Sequence, residues 1–269
     1  VIQTLHNTDA QLPKAARVQL AKKRIAARRQ FNIARSMEQR FMRTLRQISR
    51  QIGAVAQVMK DDTRALVEQL NRYSDTLRPW ATAVAQRMQK EVARRDTAAW
   101  ESLASTMGRT LRREIESAPV AAVMRDKLAE TVDLISSMPR VAAERVQKLA
   151  TQAMLGSMRA DVLKDEIARS GKVSAAHART IARTELARNA SLLTESRALY
   201  IGSPGYFWRS IEDSDVRPEH RKLNGKFIPW DKPPVVDRKT GRRAHAGQDI
   251  NCRCWPEPVI PEDVGVAVN

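Results

Sequence analysis

The sequence predicts a mainly α-helical N-terminal region, built from long helices in a coiled-coil or bundle arrangement, followed by a small α+β domain with short strands. Three observations carry that prediction. Apolar residues recur at three-four spacing through most of the first 200 positions. Lys and Arg outnumber Asp and Glu by 47 to 30, a net +17, and the excess is concentrated at the N-terminal end. From Tyr200 onward the texture changes: eight of twelve prolines, six of ten glycines and seven of twelve aromatics fall there. That is the composition of short strands and tight turns.

The first helix is expected to begin just after Pro13, a residue suited to a first turn. Its apolar register runs through Leu20, Ala27, Phe31, Ala34, Phe41, Leu45, Ile48, Ile52, Val55 and Met59, with Arg24 and Glu38 interrupting it. The same register continues beyond Asp61-Asp62 through Leu66, Leu70, Tyr73 and Leu77, and whether one helix spans that acidic pair is left open. An apolar residue about every 3.5 positions means packing along a partner helix. Pro79 ends or kinks the segment. A second helix is expected from Trp80 to Ile115, and a third from Val120 to the Met138-Pro139 break. A fourth runs from Val141 to Leu155, with Gly156 in a left-handed cap. Ser157 is expected to cap a short helix that stops at Ser170-Gly171, and Ser174 to open the last one, through Leu199. Tyr206 to Ile211 reads as a strand, and Asn224-Gly225 as a hairpin turn leading into Lys226-Phe227-Ile228. Pro229 to Gly241 reads as a loop and Asn251 to Trp255 as a short strand.

Residues 1–60 hold 13 basic side chains against Asp9 and Glu38, a net +11, whereas residues 171–269 carry only +4. Lys22, Lys23, Arg28, Arg29, Arg35, Arg40, Arg43, Arg46 and Arg50 fall between the apolar positions. A charged helix face is ordinarily a solvated face. With almost no acids interspersed, this one points to phosphate or an acidic protein, and double-stranded DNA bound without sequence preference comes first. The lack of interleaved aromatics argues against stacking on single strands. No apolar run approaches the roughly 20 residues of a membrane-spanning helix. With no basic-then-apolar stretch at its start, the sequence is expected to lack a secretory leader and, opening on Val, to be trimmed or processed there.

Both cysteines and two of the four histidines lie between Trp208 and Cys254. Cys252 and Cys254, two apart on an extended segment, share a face. With His220 they supply three ligands for Zn²⁺, and His245 or Asp213 is the candidate fourth. Two other states fit the same residues: buried free thiols beside an ordinary histidine, and a strained Cys-x-Cys disulfide. Too few cysteines for a disulfide framework make a reducing compartment the default.

The order of several features resembles the phage Mu protein F-like minor head, or head morphogenesis, family. The resemblance begins at Asp133-Leu134-Ile135-Ser136-Ser137-Met138-Pro139, passes through Gly156 and Ile181-Ala182-Arg183-Thr184-Glu185, and closes on Trp208, Asp213, Arg217, His220, Leu223, Gly225, His245 and Asn251-Cys252-Arg253-Cys254. A basic, insertion-like loop from Asp231 through Arg243 departs from it. The resemblance implies a virion protein that sits inside the head near the portal after assembly in the host cytoplasm. Its implied partners are the portal protein, other head proteins and DNA. It also divides the chain into a basic helical region at 1–130, a helical part of the family domain at 131–200, a β-rich Cys/His part at 201–260 and a tail at 261–269.

Arg183, Thr184 and Glu185 share a helix turn but face different ways, so they read as anchors, Glu185 to Arg217 or Arg209 for example. Asp213 and Arg217 read as loop-fixing residues. The alternative reading is a metal-dependent nuclease or toxin-like enzyme built on His220. The sequence offers no second histidine close by and no carboxylate pair at convincing spacing. The zinc deaminase pattern, a phosphate-binding glycine loop and a nucleophile elbow are absent too. No enzyme is expected.

Overall fold

The computed structural model describes residues 31–104, 118, 120–211 and 213–260. Among them are eight helices: α1 (Arg35–Val58), α2 (Thr63–Thr76), α3 (Arg78–Ala104), α4 (Val120–Ser136), α5 (Met138–Met154), α6 (Ala160–Ala168), α7 (Ser170–Tyr200) and α8 (Pro218–Leu223). Five short strands accompany them: β1 (Gly205–Arg209), β2 (Phe227–Pro229), β3 (Val235–Asp237), β4 (Arg242–Arg243) and β5 (Trp255–Pro258). The expected class, helices followed by a small strand-bearing region, is the observed one. No described helix is long and apolar enough to cross a membrane.

The chain condenses into two compact units, each made of separate sequence pieces. One contains residues 34–89 and 125–186. It is a helical bundle in which α2 packs along α5, and α1 contacts α2, α5 and α6. The three-four register does the packing: Met37, Phe41, Leu45, Ile48, Ile52 and Ala56 of α1 are buried, as are Leu66 and Leu70 of α2. The acidic pair breaks the register into two helices. Asp62 accepts a hydrogen bond from the Ala65 amide at 2.9 Å and so caps α2. Close approach of α1 and α7 requires glycine on both sides. A Cβ on Gly171 would lie 2.7 Å from the Gly53 Cα.

Several expected boundaries move, each for a local reason. The first helix does not run on from Pro13 through Ala34 in the described part; Ala34 is extended (φ −66°, ψ 132°) and α1 starts at Arg35. Pro79 and Pro139 follow helix ends, yet both then occupy the first turn of the next helix, where proline's missing N–H costs nothing. Ser157 does not cap α6; its hydroxyl donates to the Gln152 carbonyl at 2.6 Å instead. Ser170-Gly171 opens α7 rather than closing α6, because Gly171 is the packing contact with Gly53. Gly156 does adopt the left-handed cap, at φ +73°. Of the second expected helix, residues 105–115 lie outside the described residues.

The other unit contains residues 31–33, 90–104, 118, 120–124 and 187–260 of the described chain. Its sheet has the order β2-β1-β5, all antiparallel, with Tyr206 opposite Ile228 and Trp208 opposite Pro256. Pro256 and Pro258 are tolerated because β5 is an edge. Tyr206 and Trp208, two apart on the central strand, point into one core with Trp100, Ile201, Trp230 and Val236. Asn224-Gly225 is a turn, with Gly225 at φ +78°, but it joins α8 to β2 rather than two strands. Pro218 nucleates that helix where a hairpin arm was expected. The segment expected as a loop contains β3, which pairs with β4 just beyond its end, and the last strand starts at Trp255, after the cysteines.

Candidate functional site

Helix α8 is only six residues long, yet it turns His220 inward, where it is buried edge-on against the Trp208 ring with centroids 5.4 Å apart. The chain returns beside it through a tight turn with Gly247 at φ +88° and Asn251 at φ +57°. Gly247 is required twice over: a Cβ there would stand 3.1 Å from the carbonyls of Ala187 and Cys254. That turn delivers Cys252 and Cys254, both buried and both free thiols, to His220.

The three donors converge. His220 Nδ1 lies 3.5 Å from Cys252 Sγ and 3.6 Å from Cys254 Sγ, and all three atoms lie within 4.8 Å of one another. The Cys254 amide donates to Cys252 Sγ at 3.4 Å. Hydrogen bonding from Cys254, then the nearby His220, holds the Cys252 thiol well below its ordinary range despite burial. The same interaction with Cys252, together with burial, pushes Cys254 up.

On the far side of the imidazole, Nε2 is buried without a hydrogen bond and faces the Asp249 carboxylate at 3.7 Å. Asp249 is buried and held by two cations, Arg217 through Nη1 and Arg242 through Nε at 2.9 Å. Arg217 also donates to the Ile250 carbonyl. Sequence reasoning passed over Asp249. Its signal is a carboxylate three residues before the first cysteine, in the turn that carries both.

The candidate fourth ligands stand elsewhere. His245 Nδ1 meets the Tyr206 hydroxyl at 3.2 Å, and its Nε2 lies 3.9 Å from Glu195. Tyr206 also accepts from the Ala246 amide at 3.1 Å, and Gln248 donates to Glu195 at 2.7 Å. Burial lowers the His245 pKa and raises that of Tyr206, which favours the uncharged imidazole and phenol, and the network fixes the loop on α7. Asp213 is taken by Arg253, at 2.6 Å, and pins the turn before α8.

Arg183 and Glu185 make their contacts inside the helical bundle, and Thr184 between them is buried. Arg183 pairs with Glu38 at 3.0 Å, and the fully buried Glu185 accepts from Thr131 at 2.9 Å. The partners expected for Glu185 are engaged otherwise: Arg217 with Asp249, and Arg209 with Glu257.

On α1 the basic residues occupy the side opposite the buried stripe. Arg35, Arg40, Arg43 and Arg50 are exposed and Arg46 is half-buried, its Nε without a hydrogen bond among the described residues. Lys22, Lys23, Arg28 and Arg29 lie outside the described residues. Beside the Gly53–Gly171 contact, Arg43, Arg46 and Arg50 line an open groove of about 740 Å³ together with Lys172 of α7. The acid that interrupts this stretch, Glu38, is occupied by Arg183.

Comparison with known proteins bears on the same residues. Residues 144–256 match the family model described as phage Mu protein F like protein. An uncharacterized protein of Haemophilus influenzae is 30% identical over 142 residues, a stretch that covers 52% of this chain and 30% of the relative. The chain thus spans under a third of that relative's length. No solved structure matches. The matched span holds residues 144–154 of α5, the whole of α6 and α7, and the His220, Cys252 and Cys254 cluster, and over that span the chain is similar to the phage Mu protein F-like family.

Proposed function

We propose that the protein is a phage minor head protein that docks on the portal from inside the head and lays its basic helices against packaged DNA, aiding assembly and genome packaging or delivery. The family supports the head-protein part of this reading. The observation that supports DNA contact is the arginine side of α1. Arg43, Arg46 and Arg50 recur at three-four spacing on a helix whose other side is buried, so the cations are held in a row. Lys172 widens the row across the groove. Such a surface fits the sugar-phosphate backbone, where a row of point charges displaces condensed counterions and no base edge is read.

Binding of the full chain to a plasmid fragment, followed against salt concentration, tests this. Each phosphate neutralised contributes about 0.9 to the slope of log affinity against log salt. Substituting Arg43, Arg46 and Arg50 together by Gln is expected to weaken binding at 0.1 M salt and to reduce that slope by roughly 2 to 3. An unchanged slope would remove this surface from the reading. Incubation of the same DNA with Mg²⁺ or Mn²⁺ covers the enzyme alternative. Retardation and protection support the binder; cutting that disappears in His220→Ala supports a nuclease.

A further inference from the structure

We propose that His220 Nδ1, Cys252 Sγ and Cys254 Sγ hold one zinc ion, and that Asp249, clamped by Arg217 and Arg242, is the carboxylate that orients the histidine ligand. The proposal stands apart from portal docking and DNA contact, and neither depends on it.

The geometry argues first. With Zn–S near 2.3 Å and Zn–N near 2.0 Å, the edge between a nitrogen and a sulfur of a tetrahedral site is about 3.5 Å. The two observed Nδ1–Sγ separations are 3.5 and 3.6 Å. Two of the three edges between donors from two distant segments are thus those of such a tetrahedron, and all three donors lie within 4.8 Å of one another. Free thiols packed as small hydrophobes have no reason to converge on one ring nitrogen at that spacing.

The imidazole's other side argues second and independently. A ligating histidine needs its remaining N–H directed at an acceptor, which fixes the tautomer and raises the basicity of the ligating nitrogen. Among the described residues His220 Nε2 has no hydrogen-bond partner, and Asp249 faces it at 3.7 Å. Arg217 and Arg242 hold the buried Asp249 carboxylate in place beside a site that carries no net charge once filled. Two thiolates balance the ion, each thiol releasing its proton to solvent as the metal binds.

Among the described residues no fourth His, Cys, Asp or Glu joins the group. His245 and Asp213 are committed to Tyr206 and Arg253. The described residues thus supply three of the four corners. The ion's role is to tie α8 to the turn before β5 across 32 residues, in a unit whose strands are at most five residues long.

The test uses the full chain, purified from zinc-supplemented cultures and checked for folding by circular dichroism. Metal analysis is expected to give about one zinc per chain. After chelation, Co²⁺ titration is expected to produce thiolate charge-transfer bands and the strong visible absorption of a tetrahedral centre, with the thiolate bands roughly halved in Cys254→Ser. Asp249→Asn should keep the cobalt spectrum but bind the metal about 10- to 100-fold more weakly. A folded wild-type chain without zinc that gives no thiolate–cobalt absorption would overturn the site. Full-strength metal binding by a folded Asp249→Asn would overturn the role given to Asp249.

Discussion

Asp96 and Arg197 illustrate how single residues shape this molecule. Asp96 accepts from Arg197 at 2.8 Å and from Thr194 at 3.0 Å, and all three are buried. Burial outweighs the guanidinium and raises the Asp96 pKa to about 6. A carboxyl whose pKa is higher in the folded chain than its ordinary 3.8 favours folding most where it is protonated in both states. This contribution is therefore full below about pH 4 and is lost as the pH rises to about 6. Denaturant melts across that range should show the loss, and Asp96→Asn should flatten it. Arg197→Met is expected to cost about 3–5 kcal/mol at neutral pH, since it strands a buried carboxylate; a melting temperature within a degree or two of the wild type would contradict this. His220, Cys252 and Cys254 were legible as a candidate ligand set from residue type and spacing, because thiolate and imidazole chemistry is local. Asp249 and the Glu195–His245–Tyr206 network were not. Which carboxylate meets which ring depends on a turn that only the fold supplies.

At the scale of elements, the middle of the helical repeat was read from the sequence and its ends were not. The pattern marks the buried Phe41, Leu45, Ile48 and Ile52 of α1, but it misses Met37 and Ser49 and marks Val55 where Ala56 is buried. Boundaries were read less well, and prolines and glycines account for most of the difference. Pro79 and Pro139 signal a break without saying that a new helix starts at once. Gly171 looks like a terminator by propensity but is a contact residue, placed where α1 and α7 nearly touch. Gly171→Ala is expected to force those helices apart and cost about 1–3 kcal/mol, visible as a lower melting temperature. An unchanged melt would mean that the close contact contributes nothing to stability. The Asn224-Gly225 turn was recognised, but the helix on its N-terminal side was not. Six residues opened by a proline leave too short a periodic signal.

At the scale of the molecule, charge is distributed by purpose rather than evenly. Within the first sixty residues the net +11 meets little acid, and the described part of that stretch presents its arginines along one helix side. The family-matched region instead contains the Asp249 carboxylate with its two arginines and the His/Cys cluster. Composition and residue order were enough to read the class and the family resemblance. Each unit's discontinuous make-up was not readable, because α3, α4 and α7 each begin in one unit and end in the other. No apolar run or charge count announces such a division. The central claim is a head protein at the portal with DNA against its basic helices. The most direct measurement is an electron cryomicroscopy reconstruction of heads assembled with their own portal protein and this chain. The account expects density for the chain on the inner face of the portal vertex, with α1 towards the DNA. Mature and precursor heads that contain no copy of the chain would contradict it.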